Sequence, residues 1–185
     1  MSATAHSHRK PAIVSVCIES TSVPRWDAER LLTDPDGRYF TVVSFGDHAH
    51  TDAAQVVGKH SSHRVSWLKL APDWSAATSA VLQREFAAAR VGWRLIVIGT
   101  EIEVLQACST AIAAGAIPAE ILTYVIDDAQ RRVYCVHCRH VHQSNAPVGA
   151  LSPCPRCDTD LFVYHHVSRR YGAYLGFMAD AEEQG

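Results

Sequence analysis

The sequence predicts an α/β protein: a three-layer domain on a parallel sheet over residues 12–128, followed by a small four-cysteine domain over residues 131–182. Three observations carry this reading. Apolar β-branched runs alternate with helical periods between residues 65 and 127. A charged stretch, DDAQRR at 127–132, interrupts them and reads as a hinge. Two Cys-x-x-Cys turns then follow, with fifteen residues between them.

In chain order, residues 1–11 are polar and read as disordered. AIVSVCIES (12–20) and YFTVVSFG (39–46) are β-branched runs bounded by turn residues and read as strands, with TDPDG (33–37) a turn between them. Residues 47–64 lack a clear period and read as a loop with a short helix. VSWLKL (65–70) is a strand. APDWSAATSAVLQREFAAARVG (71–92) is a helix that Pro72 and Asp73 open and Gly92 ends, with Leu82, Phe86 and Ala89 on one face. WRLIVIG (93–99) is almost continuously apolar, the pattern of a strand covered on both faces. Thr100 and Glu103 form a capping box for a helix through Ala114, closed by Gly115. Leu105, Cys108 and Ile112 share one face of it, which makes Cys108 a core residue. EILTYVID (120–127) is the next strand, completing a βαβαβ unit.

Bulk properties exclude several function classes. With 48% hydrophobic and 19% charged residues and a net charge of −2, the chain is neither a disordered nor a strongly basic protein. No apolar run reaches the roughly 20 residues of a membrane span. The N-terminus lacks the apolar segment of about 7–15 residues that a secretory signal needs, so the expected compartment is the cytoplasm. Six cysteines in a reducing compartment favour metal binding over disulfides.

Ligands of parallel sheets bind beyond the carboxyl ends of the strands, here at GTEIEV after residue 98. A phosphate loop wants several glycines and a helix start free of negative charge. This one has Gly99 alone, followed by Glu101 and Glu103. Trp93–Val125 therefore resembles the nicotinamide-binding half of a ferredoxin-reductase-type module whose phosphate loop is degenerate, and no nucleotide is expected.

Cys135, Cys138, Cys154 and Cys157 have the spacing of a four-thiolate zinc ribbon. Two residues between paired cysteines let the chain wrap one ion with both sulfurs inward. QSNAPVG (143–149) supplies a turn between the knuckles. Arg139 and Arg156 stand beside them, where positive charge offsets an excess of thiolate. His137, His140 and His142 read as exposed histidines rather than replacement ligands, and a second metal group from His48, His50, His60 and His63 is not expected. Iron also accepts tetrahedral sulfur. A short hairpin attached to an α/β domain favours a structural zinc ion over an electron-carrying iron.

The segment YHHVSRRYGAYLGFMADAEE (164–183) carries two readings that are compatible: a last strand and tail covering the sheet, and a contact surface. Arginine and tyrosine are frequent interface anchors, which nominates His165, His166, Arg169, Arg170, Tyr171 and Tyr174 for partner contact. An axial haem ligand at His165 or His166 is disfavoured by the lack of any other haem signal.

VYCVHCRHV, CPRCDTDLFVYHHVSRRYGAYLGF and ADAEE together resemble the C-terminal domain of the DmmA subunit of bacterial dimethylamine monooxygenase, densely from Val133 to Glu182. The resemblance implies a small, non-catalytic subunit of an enzyme that demethylates a secondary amine with dioxygen and reduced nicotinamide cofactor. It further implies that haem, flavin and iron–sulfur groups sit on partner subunits, a haem-containing oxygenase and a flavin/iron–sulfur reductase. Two alternatives remain at this stage. One is a rubredoxin-like electron carrier. The other is a nucleic-acid-binding ribbon, since Arg131–Arg170 holds six arginines against two aspartates.

Overall fold

The computed structural model describes residues 22–24, 26 and 37–179. The expectations for residues 1–11, for a strand at 12–20 and for most of the turn at 33–37 lie outside these residues.

A four-stranded, all-parallel sheet forms the first half, in the order β2-β1-β3-β4, from β1 (Tyr39–Phe45), β2 (Arg64–Leu70), β3 (Trp93–Thr100) and β4 (Ile121–Asp127). The order follows from the sequence. YFTVVSF and WRLIVIGT are the most continuously apolar runs, and β1 and β3 take the centre, where both faces are covered. β2, with its exposed alternate residues, takes an edge. The period of two sorts the two cores. Val43, Phe45, Leu95 and Val97 face one way with Leu82, Phe86, Val104, Ala107 and Ala111. Phe40, Val42, Ile96 and Ile98 face the other way with Ala49, Ala53 and Val56. Helices α2 (Ala76–Ala87) and α3 (Glu101–Ala113) thus cover one face and α1 (Gly46–Lys59) the other. This is the expected three-layer α/β arrangement.

Three local expectations are corrected. Residues 47–64 are mostly helix: α1 runs for 14 residues, held by a stripe of small side chains, Ala49, Ala53 and Val56, that a search for bulky apolar periods misses. α2 starts at Ala76, because Ser75 caps it by accepting the Thr78 N–H at 3.0 Å, and Pro72 and Asp73 lie outside it. It ends at Ala87 rather than continuing to Gly92. The stretch at 127–132 is pinned rather than hinged. Asp127 Oδ1 accepts the Ala129 N–H at 2.8 Å, and Arg131 donates to the Ala146 and Asp128 carbonyls at 2.7 and 2.9 Å.

The second half is a five-stranded sheet, β6-β5-β9-β8-β7, from β5 (Arg131–Cys135), β6 (Val141–Ser144), β7 (Leu151–Pro153), β8 (Asp160–Ser168) and β9 (Ala173–Met178). Its pairs are antiparallel except β5 with β9 at the centre, which run parallel. One face buries Val133, Leu161, Val163, Val167 and Tyr174 together with Cys135, Cys154 and Leu105 of α3.

Leu105 shows where the two sheets meet. The β8–β9 turn lies so close to α3 that a Cβ on Gly172 would fall 2.6 Å from the Leu105 carbonyl oxygen, and Gly172 has φ +53°. Ser109 Oγ donates to the Arg170 carbonyl at 2.8 Å and Tyr174 Oη to Glu101 Oε1 at 2.7 Å. Arg132 donates to the Tyr171 and Gly172 carbonyls at 2.9 and 3.2 Å, holding the same turn from the sheet side.

Candidate metal centre

Both cysteine pairs sit in turns of the same construction. β5 ends at Cys135, whose N–H donates to the His140 carbonyl at 2.8 Å, while its own carbonyl accepts the Arg139 N–H at 2.8 Å. β7 leads into Cys154, whose N–H donates to the Thr159 carbonyl at 3.0 Å, and whose carbonyl accepts the Asp158 N–H at 2.9 Å. In each turn the residue after the second cysteine takes a left-handed backbone, with φ +62° at Arg139 and +55° at Asp158. That conformation turns the chain back so that the second sulfur faces the first. Cys138 N–H also points at Cys135 Sγ, 3.5 Å away.

The turns bring all four sulfurs within 4.8 Å of one another, and this is the one group of its kind among the described residues. Two contacts join one turn to the other: Cys135 to Cys157 at 3.8 Å and Cys138 to Cys154 at 3.6 Å. A disulfide requires about 2.05 Å, so these are separate thiols. A tetrahedron of sulfurs about 2.3 Å from a central zinc has edges of about 3.8 Å. The two cross-turn edges match those of such an ion, and the four thiols form its donor set.

Electrostatics set what the group needs. Burial pushes the Cys138 thiol up to about 12 and raises Cys135 as well. Cys157 goes the other way, to about 5, through the Thr159 hydroxyl 3.3 Å from its sulfur and then through the His137 side chain. A divalent cation supplies the charge that allows every sulfur to ionise.

The histidines are placed elsewhere. His137 is exposed and reaches Cys157. His140 and His142 are half-buried rather than exposed; their rings stack 6.2 Å apart, and His142 Nε2 lies 3.4 Å from Ser152 Oγ. His50 Nδ1 pairs with Ser44 Oγ at 2.8 Å, and His60, buried, lies 4.2 Å from the Phe40 ring. Arg139 and Arg156 are exposed at the two turns.

Of the six residues nominated for partner contact, one is corrected. Tyr174 is 2% exposed, because the alternation of β9 turns it inward onto Glu101. Arg169 and Arg170 are exposed in the β8–β9 turn, His166 is exposed beside Ser22, and His165 is half-buried. Tyr171 stacks on Tyr134 with ring centres 4.2 Å apart. Sequence reasoning missed Tyr134, although its alternation with Val133 and Cys135 already placed it on the outer face.

At the loop after β3, Glu103 Oε2 accepts the Thr100 N–H at 2.9 Å and so fills the start of α3 with the chain's own carboxylate. Glu101 is 2% exposed, and burial raises its pKa against the opposing effects of Tyr174 and Arg131. Cys108 packs partly buried against the core, and loss of water pushes its thiol up to about 12.

Comparison with known proteins decides the family. Residues 132–177 match the dimethylamine monooxygenase subunit DmmA-like, C-terminal domain. The chain is also 32% identical, over 164 residues, to the heme-dependent oxidative N-demethylase delta subunit of Ectopseudomonas mendocina (strain ymp), covering 88% of this chain and 90% of that one. The chain belongs to the DmmA-like family. That similarity extends well beyond the cysteine segment, so the DmmA-like chain shares its α/β half with the relative too. No solved structure matches it, and none of its described helices is long and apolar enough to cross a membrane.

Proposed function

We propose that this DmmA-like chain is a non-catalytic, zinc-binding subunit of a multicomponent amine monooxygenase that oxidatively demethylates dimethylamine or a similar secondary amine. In this reading it supports assembly of the complex or delivery of electrons within it. The haem belongs to an oxygenase subunit, and flavin and iron–sulfur groups belong to a reductase subunit. The α/β half serves as an architectural, ferredoxin-reductase-like platform, and the five-stranded sheet with its two cysteine turns is a zinc ribbon. The observation that carries the reading is the sulfur quartet with its 3.6 and 3.8 Å edges, set in a chain aligned along most of its length with an N-demethylase delta subunit. Zinc is favoured over iron because the two deepest sulfurs, Cys135 and Cys154, are part of the small core, which suits a structural clip.

The test is co-expression with the companion subunits of the same host. The expected result is a complex that elutes with the haem and flavin chromophores, holds one zinc per copy of this chain, and oxidises dimethylamine only when this chain is present. A lone chain beside fully active companions would end the proposal. A red, iron-loaded site would end its zinc component.

A further inference from the structure

The two cysteine turns share a backbone pattern but differ in their side chains. In each, the first cysteine donates its N–H to the carbonyl five residues on, His140 in one turn and Thr159 in the other, at 2.8 and 3.0 Å. The backbone N–H of that fifth residue faces the second sulfur, His140 N–H that of Cys138 and Thr159 N–H that of Cys157. There the likeness stops. His140 lays its ring beside His142, with centres 6.2 Å apart. Thr159 brings its hydroxyl to Cys157 Sγ, 3.3 Å away. His137, exposed in the first turn, reaches across and hydrogen-bonds the same sulfur. Cys157 thus collects two side chains from outside the quartet, one from each turn.

Burial explains why this sulfur needs them. Cys135 and Cys154 are fully buried and fixed by the core of the five-stranded sheet, whereas Cys138 and Cys157 are half-buried. A cysteine with water on one side rotates away from an ion unless something holds it. Four thiolates on a divalent ion also leave the centre negative, and donors to sulfur spread that charge while fixing the ligand's direction. In the metal-bound form Cys157 has no hydrogen of its own. The Thr159 hydroxyl then donates to the charged sulfur in preference to the neutral Cys157 carbonyl at 3.5 Å.

We propose that His137 and Thr159 are positioning residues of the metal centre, donating to Cys157 Sγ from the two turns and so closing the water-facing corner of the quartet. The inference rests on the zinc reading above and deepens it by naming the groups that hold the outer ligand. Direct ligation by His137 fits less well, because four sulfurs already fill a tetrahedral ion.

The experiment uses the full chain, loaded with zinc or with Co²⁺, which accepts the same tetrahedral site and reports on its sulfurs by charge-transfer absorption. Zinc affinity is read by competition with a chromogenic chelator. Thr159→Val removes the hydroxyl at nearly constant shape, and His137→Phe removes the ring N–H at an exposed position. Each is expected to weaken zinc about tenfold or more. Each should also move the cobalt band to longer wavelength, because a thiolate that loses a hydrogen bond releases its electrons at lower energy. Thr159→Ser is expected to restore both readouts. His140→Phe, at the matching place in the first turn, is expected to change neither. Unaltered affinity and band in Thr159→Val and His137→Phe, or an equal shift in His140→Phe, would overturn the inference and leave the zinc reading standing. Loss of a coordinating nitrogen in His137→Phe, read by X-ray absorption, would make that residue a ligand and overturn its positioning role. A wild-type chain that takes up neither ion would overturn the zinc reading and the inference with it.

Discussion

In the four-stranded sheet, β1 and β3 are covered on both faces, and aliphatic and aromatic side chains from three helices fill the two cores. In the five-stranded sheet one face alone is buried, its core includes two of the four cysteines, and it borrows Leu105 from α3. The first region holds together by removing apolar area from water, at about 25 cal/mol per Å². The second buries a smaller core and adds to it four converging sulfurs and a docked helix.

Three perturbations break or sharpen this contrast. The largest effect is expected from removing the metal. Structural zinc sites contribute apparent free energies of about 10–16 kcal/mol at neutral pH. A strong chelator, or Cys135→Ser with Cys154→Ser, should therefore strip hydrogen-exchange protection from β5–β9 while amides in β1 and β3 stay protected. Simultaneous loss in both sheets would show that they are one cooperative unit.

Next comes the junction. Gly172→Ala places a methyl 2.6 Å from the Leu105 carbonyl at a left-handed backbone position, which should cost about 2–3 kcal/mol from strain and overlap together. Urea unfolding of the zinc-loaded chain reads it. A change under 0.5 kcal/mol would mean that the contact between α3 and the β8–β9 turn is loose.

The smallest expected effect is a pH dependence at Glu101. Its folded pKa is raised above the ordinary carboxylate value, first by burial. The folded state therefore holds the proton more tightly than the unfolded state does, so stability declines as pH rises from the unfolded pKa through the folded one. Glu101→Gln keeps an acceptor for Tyr174 Oη and removes that slope. The variant should match wild type near the acid end of the accessible range and gain on it steadily as pH rises. Parallel stability profiles for the two proteins would place the titration elsewhere.

Much of this was legible in the sequence where side chains declare their neighbours. WRLIVIG announced a central strand, Thr100-x-x-Glu103 a capped helix, and the Cys-x-x-Cys pairs a convergent site, because each depends on local chemistry within a few residues. α1 was expected only as a short helix within a loop, because its buried stripe is made of alanines and one valine, a weak signal in a polar segment. Tyr174 was misplaced because its role depends on a partner 73 residues away, Glu101, which no local pattern reveals. The order of the second sheet was not legible either, because which strands pair, and in what register, depends on contacts between distant segments that no local pattern reveals.

The parallel pairing of β5 with β9 has a consequence for synthesis. The strand that ends at the first cysteine finds its central neighbour only when residues 173–178 have left the ribosome, so the middle of this sheet has high contact order and closes late. The two cysteine turns emerge earlier, by residue 159. In the zinc-bound form proposed above, an ion captured there would join them before the last strand arrives, and would serve as a template for closure as well as a clamp on the finished fold.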